Sequence, residues 1–311
     1  MPDTTEMTPI SRPGELLLAG YQVASDLAKG EVLTLTDPRD QTEMPAVLAN
    51  GAIAPIPASA FADYRAKPIA RSGTATLTQL DSFIALTNRF KADNSAVFAN
   101  DGEAAPRLTT VFDYNPEGPS EARFGRHRAT YAFPLSKEWQ AWTKADAKSM
   151  GMADFARFIE DHIVDVSADP VEAFAESSKA FVAANRGTIA TPSKLVEISR
   201  GLQIYEKAVI KEARNLASGE AQFTFDSEHT DGDGKPLVLP TMFSITIPVF
   251  ARSADLFRLI ARFRYRKTGD GLVFWYELWR PDLTFETAFN EALDTVAKET
   301  GLPIFVGAPE A

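Results

Sequence analysis

Arginine at alternating positions beside tryptophan is the pattern in this 311-residue chain that carries the most chemistry. The stretch FRLIARFRYRKTGDGLVFWYELWRP, residues 257–281, sets Arg258, Arg262, Arg264 and Arg266 at one parity and follows them with Trp275 and Trp279. Guanidinium groups meet phosphate through forked N–H donors, and indole faces stack on unpaired bases, which is how proteins hold single-stranded nucleic acid. A two-residue turn at Gly269-Asp270 folds the stretch into a hairpin with Tyr265 opposite Phe274, Phe263 opposite Tyr276 and Ala261 opposite Leu278 on one apolar face. The other face then sets Arg264 against Trp275 and Arg262 against Glu277, with Arg258 and Arg266 flanking. Opposed Cβ atoms lie about 4.5–5.5 Å apart, so Arg264 is expected to stack on Trp275 and Arg262 to pair with Glu277. Three destinations for this face stay open: water, a neighbouring subunit, or phosphate.

A second basic run, RFGRHRATY, places Arg126 and Arg128 on one face of a strand. Its spacing does not say whether that strand neighbours the hairpin, and His127 reads as an ordinary strand residue. The most acidic stretch holds Glu160, Asp161, His162, Asp165 and Asp169. On a helix Asp154, Asp161 and Asp165 share one side and His162 is turned about 100° from Asp161. Such ligands do not converge, so the expectation is a solvated face with Arg157 as partner of Asp161, and no metal. HTDGDG lacks the spacing and closing glutamate of a calcium loop and reads as a hairpin turn. There is no G-x-S-x-G, H-E-x-x-H, Rossmann glycine pattern or Walker A motif, and the three histidines lie far apart. The expectation is a non-enzymatic protein with no cofactor.

Composition narrows the class. A formal charge of −10 and a pI near 5 oppose indiscriminate binding to nucleic acid, leaving only a local basic patch for that work. The absence of cysteine excludes disulfides and thiolate chemistry, and agrees with a reducing cytoplasm. MPDTTEMTPISRPGE has neither the basic nor the apolar region of a signal peptide, and no run reaches the roughly 18–20 apolar residues that cross a bilayer. A cytoplasmic protein with no membrane partner is expected.

The elements that must position these residues read as α+β, with largely antiparallel sheet packed by amphipathic helices. Residues 1–60 form an appendage: a helix over 14–29, a strand at EVLTLT, and an extended connector broken by Pro45, Pro55 and Pro57. Residues 61–311 form the main domain. There TLTQLDSFIALTNRFK has helical spacing, SAVFAN, LTTVFDYN and RHRATYAFPL alternate as strands, and Ser136 caps a helix holding Trp139 and Trp142. MADFARFIEDHIVDV buries Met152, Phe155, Ala156, Ile159, Ile163 and Val166. Asp169-Pro170-Val171-Glu172 has the form of a helix start, with Val171, Phe174, Ser178, Phe181 and Val182 on the inner side. AQFTFDSE and FSITIPVF alternate, Pro248 marking an edge strand or bulge. A helix over 285–299, capped by Asp282 or Thr284 and closed by Gly301, precedes a short strand at PIFVG.

Taken in order, LDSFIALTNRF, VFDYN, HRATYAFPLSKEWQAW, FARFIEDH, FSITIPVF and ARFRYRKTGDGLVFWYELWRP resemble the YfdQ-like family of phage and prophage proteins, from about residue 60 to 285. The resemblance implies a phage-borne or prophage origin and expression inside a bacterial host cell. The family has no assigned function, so no site residue is carried over. A neighbourhood of replication and recombination genes is a further implication, favouring single-stranded nucleic acid as a partner. The leading expectation is thus a homo-oligomeric accessory protein touching single strands through Arg258, Arg262, Arg264, Arg266 and Trp275, with Arg126 and Arg128. The alternative is a self-assembling structural protein whose Arg/Trp hairpin is the subunit interface.

Overall fold

In the computed structural model, the described residues are 18, 22, 25, 29–57, 59–60, 64–102, 105–118, 122–204, 209–215, 221–226, 237–268 and 271–310. The expected helix over 14–29, the HTDGDG turn and the Gly269-Asp270 turn fall largely or wholly outside them. The chain forms two compact units, Met1–Arg71 and Ser72–Ala311.

The first unit contains a three-stranded antiparallel sheet of β1 (Glu31–Thr36), β2 (Glu43–Ala49) and β3 (Ala52–Pro55). Asn50 and Gly51 join β2 to β3 with φ of 51° and 75°, the two positive values that the tight hairpin turn requires. The segment expected as a connector is therefore sheet. Pro45 lies in its central strand, opposite Thr34, and its carbonyl accepts the Ile56 N–H.

In the second unit β4 (Gly73–Leu77), β5 (Ala96–Asn100), β6 (Arg107–Val111), β7 (His127–Ala132) and β16 (Ile304–Val306) make sheet I, in the order β16-β5-β6-β7-β4. Sheet II runs β8-β15-β14-β13-β9, from β8 (Met150–Gly151), β9 (Ile189–Ala190), β13 (Met242–Ile247), β14 (Phe257–Thr268) and β15 (Gly271–Leu278). A small third sheet holds β10 (Val209–Asn215), β11 (Ala221–Asp226) and β12 (Leu237–Leu239). The helices are α1 (Leu80–Phe90), α2 (Lys137–Ala145), α3 (Met152–Asp161), α4 (Glu176–Ala184), α5 (Pro192–Ile204) and α6 (Pro281–Thr300). This is an α+β fold, its strand pairs antiparallel except β4–β7, β5–β16 and β9–β13.

One core joins the two large sheets. Val97, Leu108, Ala129 and Tyr131 from sheet I, and Phe243, Ile245, Phe263, Phe274 and Tyr276 from sheet II, pack with Trp139, Trp142, Phe155 and Phe285 of the helices. Ser136 caps α2 by accepting the Trp139 N–H at 2.9 Å. That helix sets Trp142, fully buried, between Phe158 and Tyr276 at centroid distances of 5.0 and 5.1 Å. The Trp142 indole N–H donates to Asp165 at 2.8 Å, and the Tyr276 hydroxyl donates to the Trp142 carbonyl at 2.6 Å. Asp165 is thus a buried acceptor for an indole, not part of a solvated face. Arg157 pairs with Asp154 at 3.6 Å, three residues away, where Asp161 was the expected partner.

Three further expectations shift. Pro248 follows the end of β13, an interior strand, so it terminates pairing where an edge strand or a bulge was expected. Asp169-Pro170 leads only into a single 3-10 turn, Val171–Ala173, and α4 begins at Glu176. The last helix starts earlier, at Pro281, whose missing N–H costs nothing in a first turn, after Arg280 at φ 49°. Gly301 closes that helix at φ 65°.

Candidate nucleic-acid interface

The hairpin pairs in the register the alternation dictates: Ala261 opposite Leu278, Phe263 opposite Tyr276, Tyr265 opposite Phe274. Those side chains enter the core, so the arginines necessarily take the outer face of sheet II. There Glu277 collects three partners. Arg262 lies 3.4 Å from its carboxylate, Arg264 donates to it at 3.3 Å, and the Trp275 indole N–H donates at 3.3 Å. Burial pushes the Glu277 carboxyl up, but the Trp275 N–H and the two guanidiniums outweigh it and leave it below its ordinary value. Arg264 therefore points its cation at Glu277, where a stack on Trp275 was expected. A carboxylate shared by two cations offers more than a ring face does.

Arg258 and Arg262 lie under a cover. Between the bridge of Val166 to Ile245 and the parallel pairing of β9 with β13, residues 167–188 cross the outer face. Phe174 lies 4.8 Å below the Arg258 guanidinium, Phe181 lies 5.6 Å from that of Arg262, and Phe181 stacks on Trp279 at 4.5 Å and 16°. Arg258 also donates to the Ala173 carbonyl at 2.9 Å and to the Asp169 carboxylate. Ser167 and then Arg258 hold that carboxyl below its ordinary range. The strap returns at Gly187, where a Cβ would sit 2.7 Å from the Met242 sulfur, so a larger residue would require the Met242 side chain to shift. The cover is imperfect: Ser244 Oγ, Thr246 Oγ1, Arg258 Nε and Arg262 Nε are buried without a hydrogen-bond partner. Each such group costs about 1–3 kcal/mol while unmet. Of the hairpin set, Arg266 alone is an exposed residue.

Arg126 and Arg128 belong to the other sheet, so the two basic patches do not merge. Sheet I turns one face to the core, and its other face is open only over β6, β7 and β4, because Ala96, Phe98 and Val111 are buried there with Tyr114 packed against them. On that second face Thr76, Thr130, Thr109, the buried Phe98 and Phe305 follow one another across all five strands. Thr74 and Thr76 are exposed, and Thr109 and Thr130 half-buried. Arg107 stands at one end, opposite Ala132, and Arg128 at the other, opposite Val111. Four strand residues separate them, about 13 Å. Among the described residues, Arg128 donates to the backbone carbonyls of Gly125 at 2.6 Å and Glu310 at 2.9 Å and pairs with no carboxylate. Arg126 holds its guanidinium 4.4 Å above the ring of Phe124, which is 78% exposed. The Asp113 carboxylate shapes this turn by accepting the backbone N–H groups of Arg126 and His127. His127 itself is packed between Phe90 and Phe112, at 5.3 and 4.5 Å.

Sequence reasoning located Arg126 and Arg128 but missed Arg107, Phe124 and the threonine row. The exposed Phe124 beside two arginines was a readable signal. The row was not, because parallel pairing of β4 with β7 joins strands some fifty residues apart.

Among the described residues, no group of three or more histidine and carboxylate side chains could hold a metal, and no helix is long and apolar enough to cross a membrane. No curated protein and no solved structure matches the chain. A family model does, over residues 49–309, and the chain therefore belongs to the uncharacterized conserved protein family DUF2303.

Proposed function

We propose that this family member is a phage-borne accessory protein that binds single-stranded nucleic acid on the open face of sheet I and works as a homo-oligomer. The observation carrying the first part is Arg126 stacked on an exposed Phe124, beside a polar sheet face with Arg107 and Arg128 at its ends. An exposed ring beneath a guanidinium is a ready stacking platform for a base, and threonine hydroxyls and arginines suit a phosphate backbone. The hairpin face supports this role less well, because Glu277 and the strap already occupy Arg258, Arg262 and Arg264. For the same reason it supports little as a subunit interface. Self-association finds better support at β16, an edge strand with Phe305 and Val306 46% and 69% exposed.

Sedimentation velocity of the full chain with a fluorescein-labelled oligothymidylate reads both parts at once. The labelled strand is expected to travel with a multimer at low salt and to be released as salt rises. Three arginine contacts correspond to a log–log slope of roughly −2. A strand that sediments alone at low salt defeats the binding proposal, and a protein peak of monomer mass at every concentration defeats self-association.

A further inference from the structure

We infer that the cleft between the start of β5 and the loop after β6 binds an organic cation, an alkylammonium or guanidinium group, independently of the nucleic-acid reading. The cleft encloses about 630 Å³ and is lined by Asp93, Asn94, Tyr114, Asn115, Glu117 and Phe305, among others. That volume lies in the range of pockets that take a small ligand.

Its chemistry is one-sided. The apolar part is aromatic: Tyr114 and Phe305 line it at a centroid separation of 6.5 Å, and both pack on Phe98, at 5.2 and 5.5 Å. Such ring faces carry partial negative charge and attract cations. The polar part is acidic and amide. Among the described residues, neither the Asp93 nor the Glu117 carboxylate has a partner, and no lysine or arginine lines the cleft. Asn94 is held in place by donating to the Tyr114 carbonyl at 2.5 Å, and Asn115 by accepting the Arg123 N–H at 2.8 Å. Asn94 therefore keeps its Oδ1 to accept from a ligand N–H, whereas Asn115 keeps only its Nδ2 donor, which a cation does not use. The Tyr114 hydroxyl donates to Glu310 at 3.2 Å, and burial followed by that carboxylate raises its pKa, so the ring stays neutral. An anion is repelled by both carboxylates and the ring faces, a neutral molecule forgoes the charge attraction, and a cation on a hydrocarbon stem uses rings and carboxylates together.

Two sources offer this chemistry, a free polyamine and a basic side chain of a peptide. Isothermal titration calorimetry separates them, with spermidine as one titrant and the blocked dipeptide N-acetyl-Lys-Arg-amide as the other. Saturable binding of either supports the site, and the tighter of the two names the source. Phe305→Ala combined with Glu117→Gln is expected to weaken that binding at least about tenfold. Both residues are exposed, so the melting temperature should stay near that of the parent. The inference is overturned if neither titrant saturates, if the double variant binds as tightly as the parent, or if the uncharged N-acetyl-citrulline-amide binds equally well.

Discussion

Phe124→Ala combined with Arg126→Glu is expected to lower affinity for a labelled oligothymidylate by one to two orders of magnitude in a low-salt anisotropy titration. Losing one base stack is worth about 1–3 kcal/mol, or roughly 5- to 150-fold, and charge reversal adds repulsion from every nearby phosphate. The fold should be untouched, because Phe124 is 78% exposed and, among the described residues, the Arg126 guanidinium meets just that ring. Arg264→Glu with Arg266→Glu is the control on sheet II. It changes the charge by four units, twice the change of the sheet I variant, on a face where Arg264 already pairs with Glu277, and should leave affinity within about twofold. The reverse ranking would move the binding face to the hairpin.

The largest effect on stability is expected at Trp142. Its side chain is fully buried against Phe158, Phe243 and Tyr276, and its N–H meets the buried Asp165. Trp142→Ala removes that contact surface, opens a cavity and strands a carboxylate, so a loss of about 3–5 kcal/mol is expected from urea unfolding. Trp142→Phe refills much of the volume but still strands Asp165, and should fall between alanine and the parent. A midpoint within error of the parent for Trp142→Ala would show that α2 does not lock sheet II to the helices as described.

How much of this was legible follows from the range over which each signal acts. The β14–β15 register was readable because a period of two and one short turn decide it locally, and the core demands the aromatic side. Ser136 and the Trp139–Trp142 spacing were readable for the same reason. The strap was not. Asp169-Pro170 looks like a helix start, yet the Asp169 carboxylate is taken by Arg258, 89 residues away, and the chain makes only one 3-10 turn. Arg264 was misdirected on paper because Trp275 is its cross-strand neighbour, whereas Glu277, directly opposite Arg262, sits diagonally within its reach. The open face of sheet I depends on β4 and β16 joining from opposite ends of the unit, which no local pattern announces.

Photo-crosslinking tests the central claim most directly. An oligothymidylate carrying 5-iodouracil is irradiated with the full chain at low salt, and the adducts are mapped by peptide mass spectrometry. Adducts concentrated at Phe124 and along residues 107–111 and 126–132, lost as salt rises, are the predicted result. Adducts confined to Trp275 and its neighbours on sheet II, or none above a salt-quenched control, would contradict the assignment of sheet I as the nucleic-acid surface.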